Sequence, residues 1–111
     1  MNNLHLSKEA QKDLAEIKAY ITEELENPDA ALATVSRITK KIRILKNQAY
    51  VGTQISSVAD TESDYRFLVS GNYLVFYRAY GKNVYIDRVL YGRRDYMRIL
   101  FGDAQTNETD E

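Results

Sequence analysis

A chain of 111 residues has room for one domain, and with no cysteine and a single histidine, His5, it offers neither disulfides nor the usual ligands of a zinc site. Its 44% hydrophobic content suits a buried core, yet no apolar run approaches the ~20 residues that a membrane span needs. The formal net charge of −1 hides an uneven distribution. Residues 65–98 carry Arg66, Arg78, Lys82, Arg88, Arg93, Arg94 and Arg98 against only Asp87 and Asp95, whereas residues 99–111 hold four acids and no base. Arginine dominates the basic block, and its planar fork suits phosphate or carboxylate, although solvation of a half-exposed sheet is a competing reading.

"LHL" at Leu4 to Leu6 reads as a short strand, and Ser7 as the N-cap of a following helix. Ala10, Leu14, Ile17, Ile21 and Leu25 then recur at spacings of three and four, which puts them on one helical face. Asn27-Pro28 breaks this pattern and starts a second helix, Asn27 as cap and Pro28 at the first position. Ala31, Val35, Ile38, Ile42 and Leu45 form its apolar stripe. So short a break predicts an antiparallel helical hairpin whose two stripes need a shared partner.

Gly52 to Asp64 is polar and lacks helical periodicity; it reads as a connection, with room for a short strand at its start. The period then changes to two. "YRFLVS", "YLVFYRAY" and "VYIDRVLY" are rich in aromatic and β-branched residues and are separated by Ser70-Gly71-Asn72 and Gly81-Lys82-Asn83. They predict an antiparallel meander of three strands. Both faces of each strand are largely apolar, so alternation alone does not choose the face that meets the helices. After Gly92 a short helix is expected from about Asp95 to Phe101, capped by Asp95. The expected fold is α+β: an N-terminal strand and a three-strand meander in a small antiparallel sheet, a helical hairpin packed on it, and a short closing helix. Residues 1–102 are expected to form the single domain and the acidic segment 103–111 to be disordered. The opening "MNNLHLSKEA" lacks the pattern of a signal peptide, so a cytoplasmic location is expected.

In order and spacing these segments resemble the RelE/ParE superfamily of bacterial type II toxins over nearly all of residues 4–101. "LSKEAQKDLAEIKAYITEELENPDAALATVSRITKKIRIL" is similar to the ParE branch, which pairs an S-x-x-A-x-x-D-L-x-x-I helix with an N-P-x-A-A start to the second. "YRFLVSGNYLVFYR" and "RVLYGRRDY" are similar to the superfamily's sheet and closing basic segment. The resemblance implies a growth-inhibiting toxin held silent by a cognate antitoxin in a hetero-oligomer, with no cofactor, metal or membrane involved. ParE-like members act on DNA gyrase. RelE-like members instead cut mRNA in the ribosomal A site without a metal, and a shared fold does not choose between them.

Carried onto this sequence, the RelE-like catalytic set would be Arg66, Arg94 and, with uncertain register, Tyr96. Two further cationic positions are occupied by Leu68 and Leu74. Each cation beside a phosphoryl transition state is worth several kcal/mol, so these leucines favour the ParE-like reading. Arg93, Arg94, Tyr96 and Arg98 then form a surface for gyrase or antitoxin, with Arg78 and Arg88 counted alongside. The competing readings are structural: Asp95 pairing with Arg98 or capping the last helix, Tyr96 packed at a helix start, Arg88 bridging the sheet. His5 reads as an ordinary strand residue. A third reading, an inactive homologue that only binds antitoxin, fits the near-zero net charge.

Overall fold

The computed structural model describes residues 1–57 and 63–102. The chain runs through β1 (Asn3–Leu6), α1 (Lys8–Ala19), a π-helical turn (Tyr20–Glu24), α2 (Pro28–Ile44), β2 (Thr53–Gln54), β3 (Arg66–Ser70), β4 (Tyr73–Tyr80), β5 (Asn83–Tyr91) and α3 (Tyr96–Phe101). The caps are those the sequence predicts. Ser7 Oγ accepts from Ala10 N at 2.9 Å, Asn27 Oδ1 from Ala30 N at 3.0 Å with Pro28 at the first position, and Asp95 Oδ1 from Arg98 N at 3.2 Å. In each case a side-chain oxygen satisfies a backbone N–H that the first helical turn leaves without a partner.

The fold is the expected α+β, with one strand more in the sheet and one pairing of the other sense. The order is β1-β5-β4-β3-β2. β2, β3, β4 and β5 are antiparallel to their neighbours, whereas β1 runs parallel to β5, Leu4 facing Val84 and Leu6 facing Ile86. The fifth strand is the short one at the start of the connection after Gly52; residues 58–62 of that connection, like the acidic segment 103–111, lie outside the described residues. Two-residue loops join β3 to β4 and β4 to β5, and Gly71 and Gly81 take φ near +60° there, a conformation that costs other residues a Cβ clash.

The hairpin and α3 cover opposite faces of the sheet. Ala10, Ile38, Ile42 and Leu45 from the hairpin pack with Val75, Tyr77, Val84, Ile86 and Val89. On the other face, Phe76, Leu90 and Ile55 pack with Tyr96, Met97, Ile99 and Leu100. This double cover is why both faces of the strands are apolar in sequence. It also gives the quoted helix motif its meaning: Ser7 caps α1, Ala10 is fully buried, Asp13 binds the sheet, and Leu14 and Ile17 pack against the core.

Candidate partner-binding site

β5 carries an irregularity that shapes its C-terminal half. Phe76 of β4 faces Arg88 and Tyr77 faces Ile86, so Asp87 and Arg88 together oppose a single β4 residue. This is a β-bulge, which adds a residue and re-aims side chains. Asp87 goes to the α3 side, where its Oδ2 accepts from Tyr65 Oη at 2.8 Å and Arg78 Nε at 2.9 Å. Arg88 goes to the hairpin side and meets Asp13 of α1. Its Nε and Nη2 each donate at 2.8 Å to the two carboxylate oxygens, and Val89 N donates to Asp13 Oδ2 at 2.9 Å. Asp13 is only 6% exposed. The hydrogen bond to Asp13 raises the Arg88 pKa above its ordinary value, so the guanidinium stays charged.

Beside that pair, α1, the π-helical turn and the end of the sheet enclose a groove of about 630 Å³, within the ~300–1,000 Å³ usual for ligand pockets. Ile17, Ile21 and Leu25 form one wall, Val89 and Tyr91 the other; Glu16 and Arg94 stand on its rim. Tyr20 and Leu25, 54% and 56% exposed, open onto it. Leu25 comes from the predicted helical stripe, but the π-helical turn shifts that stripe: Ile21 stays buried while Leu25 is left in solvent. The groove is the feature that sequence reading missed. Its only sequence signal is the pair Tyr20 and Leu25 placed just before Asn27-Pro28.

The candidate residues fall into three places. Arg93 and Arg94 stand exposed on the loop after β5, and no ion pair forms to either among the described residues. Arg98 lies 3.7 Å from Asp95, which also caps α3, so both local roles foreseen for Asp95 occur together. Tyr96 is half-buried with its ring 5.3 Å from that of Phe76, a packing role. Arg78 pairs with Asp87 on the α3 side and lies over the Tyr65 ring at 5.3 Å. Arg88 is turned inward to Asp13 and is not on the exposed surface. Tyr80 donates to Asp64, and His5 stacks on Tyr85 at 5.0 Å as an ordinary strand residue.

The set carried over for cleavage is not assembled. Arg66 shares a face with Tyr77, on the hairpin side, where Nη1 donates to the carbonyls of Tyr50 and Gly52 at 3.1 and 2.9 Å. Tyr96 lies on the α3 side. The leucines are divided in the same way: Leu68 faces Val75 under the hairpin and Leu74 lies under α3. Among the described residues no group of histidines and acids could hold a metal, and no helix is long and apolar enough to cross a membrane.

A family model described as the ParE toxin of the type II toxin-antitoxin system, parDE, matches residues 4–96. Among solved structures, the chromosomal ParDE TA system from P. aeruginosa superposes with a TM-score of 0.67 at 24% identity, over 82% of this chain and 96% of that one. The structure of YafQ from E. coli strain BL21(DE3) is similar with a TM-score of 0.51 at 16% identity, over 92% of this chain and all of that one. At such identities the two structures speak for the fold. No curated protein sequence matches significantly.

Proposed function

We propose, starting from the fact that this chain belongs to the ParE toxin family of type II toxin-antitoxin systems, that it inhibits DNA gyrase by binding and is neutralised by a cognate antitoxin seated in the groove beside β5. The family makes it a toxin and implies an antitoxin. The single observation that carries a binding mode of action is the contrast among the arginines. Arg66, Arg78 and Arg88 are each committed to an internal partner, whereas Arg93 and Arg94 project from a loop without one among the described residues. Exposed guanidinium forks suit a carboxylate or phosphate surface such as gyrase with its DNA. Cutting RNA without a metal would require a base, an acid and several cations around one phosphate. The separation of Arg66 from Tyr96 by the thickness of the sheet, and the half-buried Leu68 and Leu74 in place of cations, weigh against that chemistry.

The antitoxin reading draws on the groove's character. Its lining is mostly apolar, with Asp13, Glu16, Thr34 and Asn72 among the polar residues, and Arg94 belongs both to it and to the basic loop. A partner filling the groove would cover Arg94 and so mask part of the surface presented to the target. The test is a supercoiling assay with purified gyrase, comparing the native chain with Arg93→Ala/Arg94→Ala. Loss of supercoiling with the native chain, and about tenfold more protein needed with the double variant, is the expected outcome. Full gyrase activity at excess toxin, with site-specific mRNA cuts in a translation extract, would instead favour the nuclease reading.

A further inference from the structure

The outward side of α2 carries a second basic feature, separate from the arginines of the sheet. Between Asp29 and Asp60 the sequence holds no acidic residue and five basic ones, Arg37, Lys40, Lys41, Arg43 and Lys46. All five are exposed, and no ion pair forms to any of them among the described residues. At about 3.6 residues per turn, Arg37, Lys40, Lys41 and Arg43 fall on the side of the helix opposite the buried Ile38 and Ile42. The helix dipole favours cations in the last turn, which accounts for Lys41 and Arg43. It does not account for Arg37 and Lys40. A face that only meets water mixes signs, as α1 does by pairing Lys12 with Glu16 at 4.0 Å. On α2, Arg37 with Lys41 and Lys40 with Arg43 are instead like charges four and three positions apart, close enough to repel.

A polyanion set along this face relieves that repulsion. From Arg37 to Arg43 the helix axis rises about 9 Å, a length over which a DNA duplex carries about five phosphate charges. The row of cations is of one sign throughout, as contact with a rigid and evenly charged backbone requires. A lipid surface would instead require a broad apolar strip between the cations, and Ile44, 41% exposed, stands alone among these four. We propose that the outward face of α2 binds the phosphate backbone of duplex DNA without reading its sequence, with Arg37, Lys40, Lys41 and Arg43 as the phosphate contacts. The face adjoins the basic loop: Arg94 and Thr34 line the same groove, and Arg37 stands one helical turn beyond Thr34. A toxin on a gyrase–DNA complex would then hold the protein with one feature and the DNA with the other. The choice of DNA over another polyanion rests on the gyrase reading, which sets the toxin beside DNA.

Fluorescence anisotropy of short labelled DNA duplexes of two unrelated sequences, titrated with the purified toxin and no gyrase, tests this. Between about 50 and 200 mM salt the affinity is the same for both sequences and falls with a log–log slope of about −3.5, four phosphates at about −0.9 each. Lys40→Gln/Lys41→Gln exchanges two exposed residues for another good helix former. It reduces that slope by about 2 and weakens binding at the lower salt by at least about tenfold. A slope that the lysine substitutions leave unchanged, or a loss seen only with Arg93→Ala/Arg94→Ala, overturns the assignment to α2, as does absence of binding at the lower salt. Tighter binding to an RNA duplex of the same length, or to polyglutamate or phosphatidylserine vesicles at equal charge, overturns DNA as the partner. These failures leave the gyrase reading standing, whereas undiminished supercoiling in the presence of a toxin that binds DNA overturns the gyrase reading alone.

Discussion

The Asp13–Arg88 pair fixes how α1 meets β5, and with it the inner wall of the groove. Removing one partner leaves a largely buried charge alone, so Asp13→Ala is expected to cost about 3 kcal/mol in urea unfolding, and Asp13→Ala/Arg88→Met to recover part of that loss. Gly52 is constrained by contact instead. A Cβ there would lie 2.6 Å from Tyr77 Oη and 2.9 Å from the Phe67 carbonyl oxygen, and the Gly52 N–H donates to that same buried hydroxyl. Gly52→Ala should therefore destabilise by about 2 kcal/mol through overpacking, measured in the same way. Burial, the hydrogen bond to Asp87 and the charge of Asp87 push the Tyr65 pKa from the usual 10 up to about 12. The folded value exceeds the unfolded one, so the protonated phenol stabilises the fold fully below about pH 10 and loses that effect as the pH rises toward 12. The difference in Tm between native protein and Tyr65→Phe is accordingly expected to be largest near about pH 8 and to vanish by about pH 12. Of these contacts the sequence raised only Arg88, which it counted with the partner-binding residues and gave a sheet-bridging role as the competing reading. Its partner is 75 positions away, and the tie of Gly52 to Tyr77 spans 25, separations that no local pattern encodes.

The elements were far more legible, because caps and periodicity are local. Ser7, Asn27 and Asp95 all cap the helices that their sequence positions suggest. What escaped was set by pairing across the fold. β1 joins the sheet parallel to β5, which no hairpin turn signals, and the bulge at Asp87 and Arg88 breaks the alternation just where side chains had to be assigned to faces. The face that meets the helices was undecidable for a physical reason: α3 covers the other one with Tyr96, Met97 and Leu100. The π-helical turn likewise appears only in three dimensions, and it opens the groove by carrying Tyr20 and Leu25 outward. Thr34 of α2 lines that groove and can be filled without touching Arg93 or Arg94. Thr34→Trp is expected to weaken antitoxin binding by about tenfold while leaving gyrase inhibition intact. Equal loss of both would mean that target and antitoxin share the groove itself.

At the scale of the whole molecule, the described residues form a small two-faced sheet with a hairpin on one side and a short helix on the other, and among them no ion pair forms to Arg93 or Arg94 on the loop from β5 to α3. A fold that also occurs in YafQ does not by itself select a target. The proposed choice of gyrase rests on where the cations are. The basic block looked in sequence like one patch, since Arg66, Arg78, Arg88, Arg93, Arg94 and Arg98 fall within a third of the chain. Folding scatters it: Arg66 and Arg88 turn to the hairpin side, Arg78 to the α3 side, and Arg93 and Arg94 stand exposed on the loop after β5, the proposed grip. The central claim is that this grip acts on gyrase by binding. It is tested most directly by adding the purified toxin to purified gyrase and relaxed plasmid and measuring supercoiling. Dose-dependent loss of supercoiled product, relieved by antitoxin and weakened by Arg93→Ala/Arg94→Ala, is the predicted result; undiminished supercoiling at a large excess of folded toxin would contradict it.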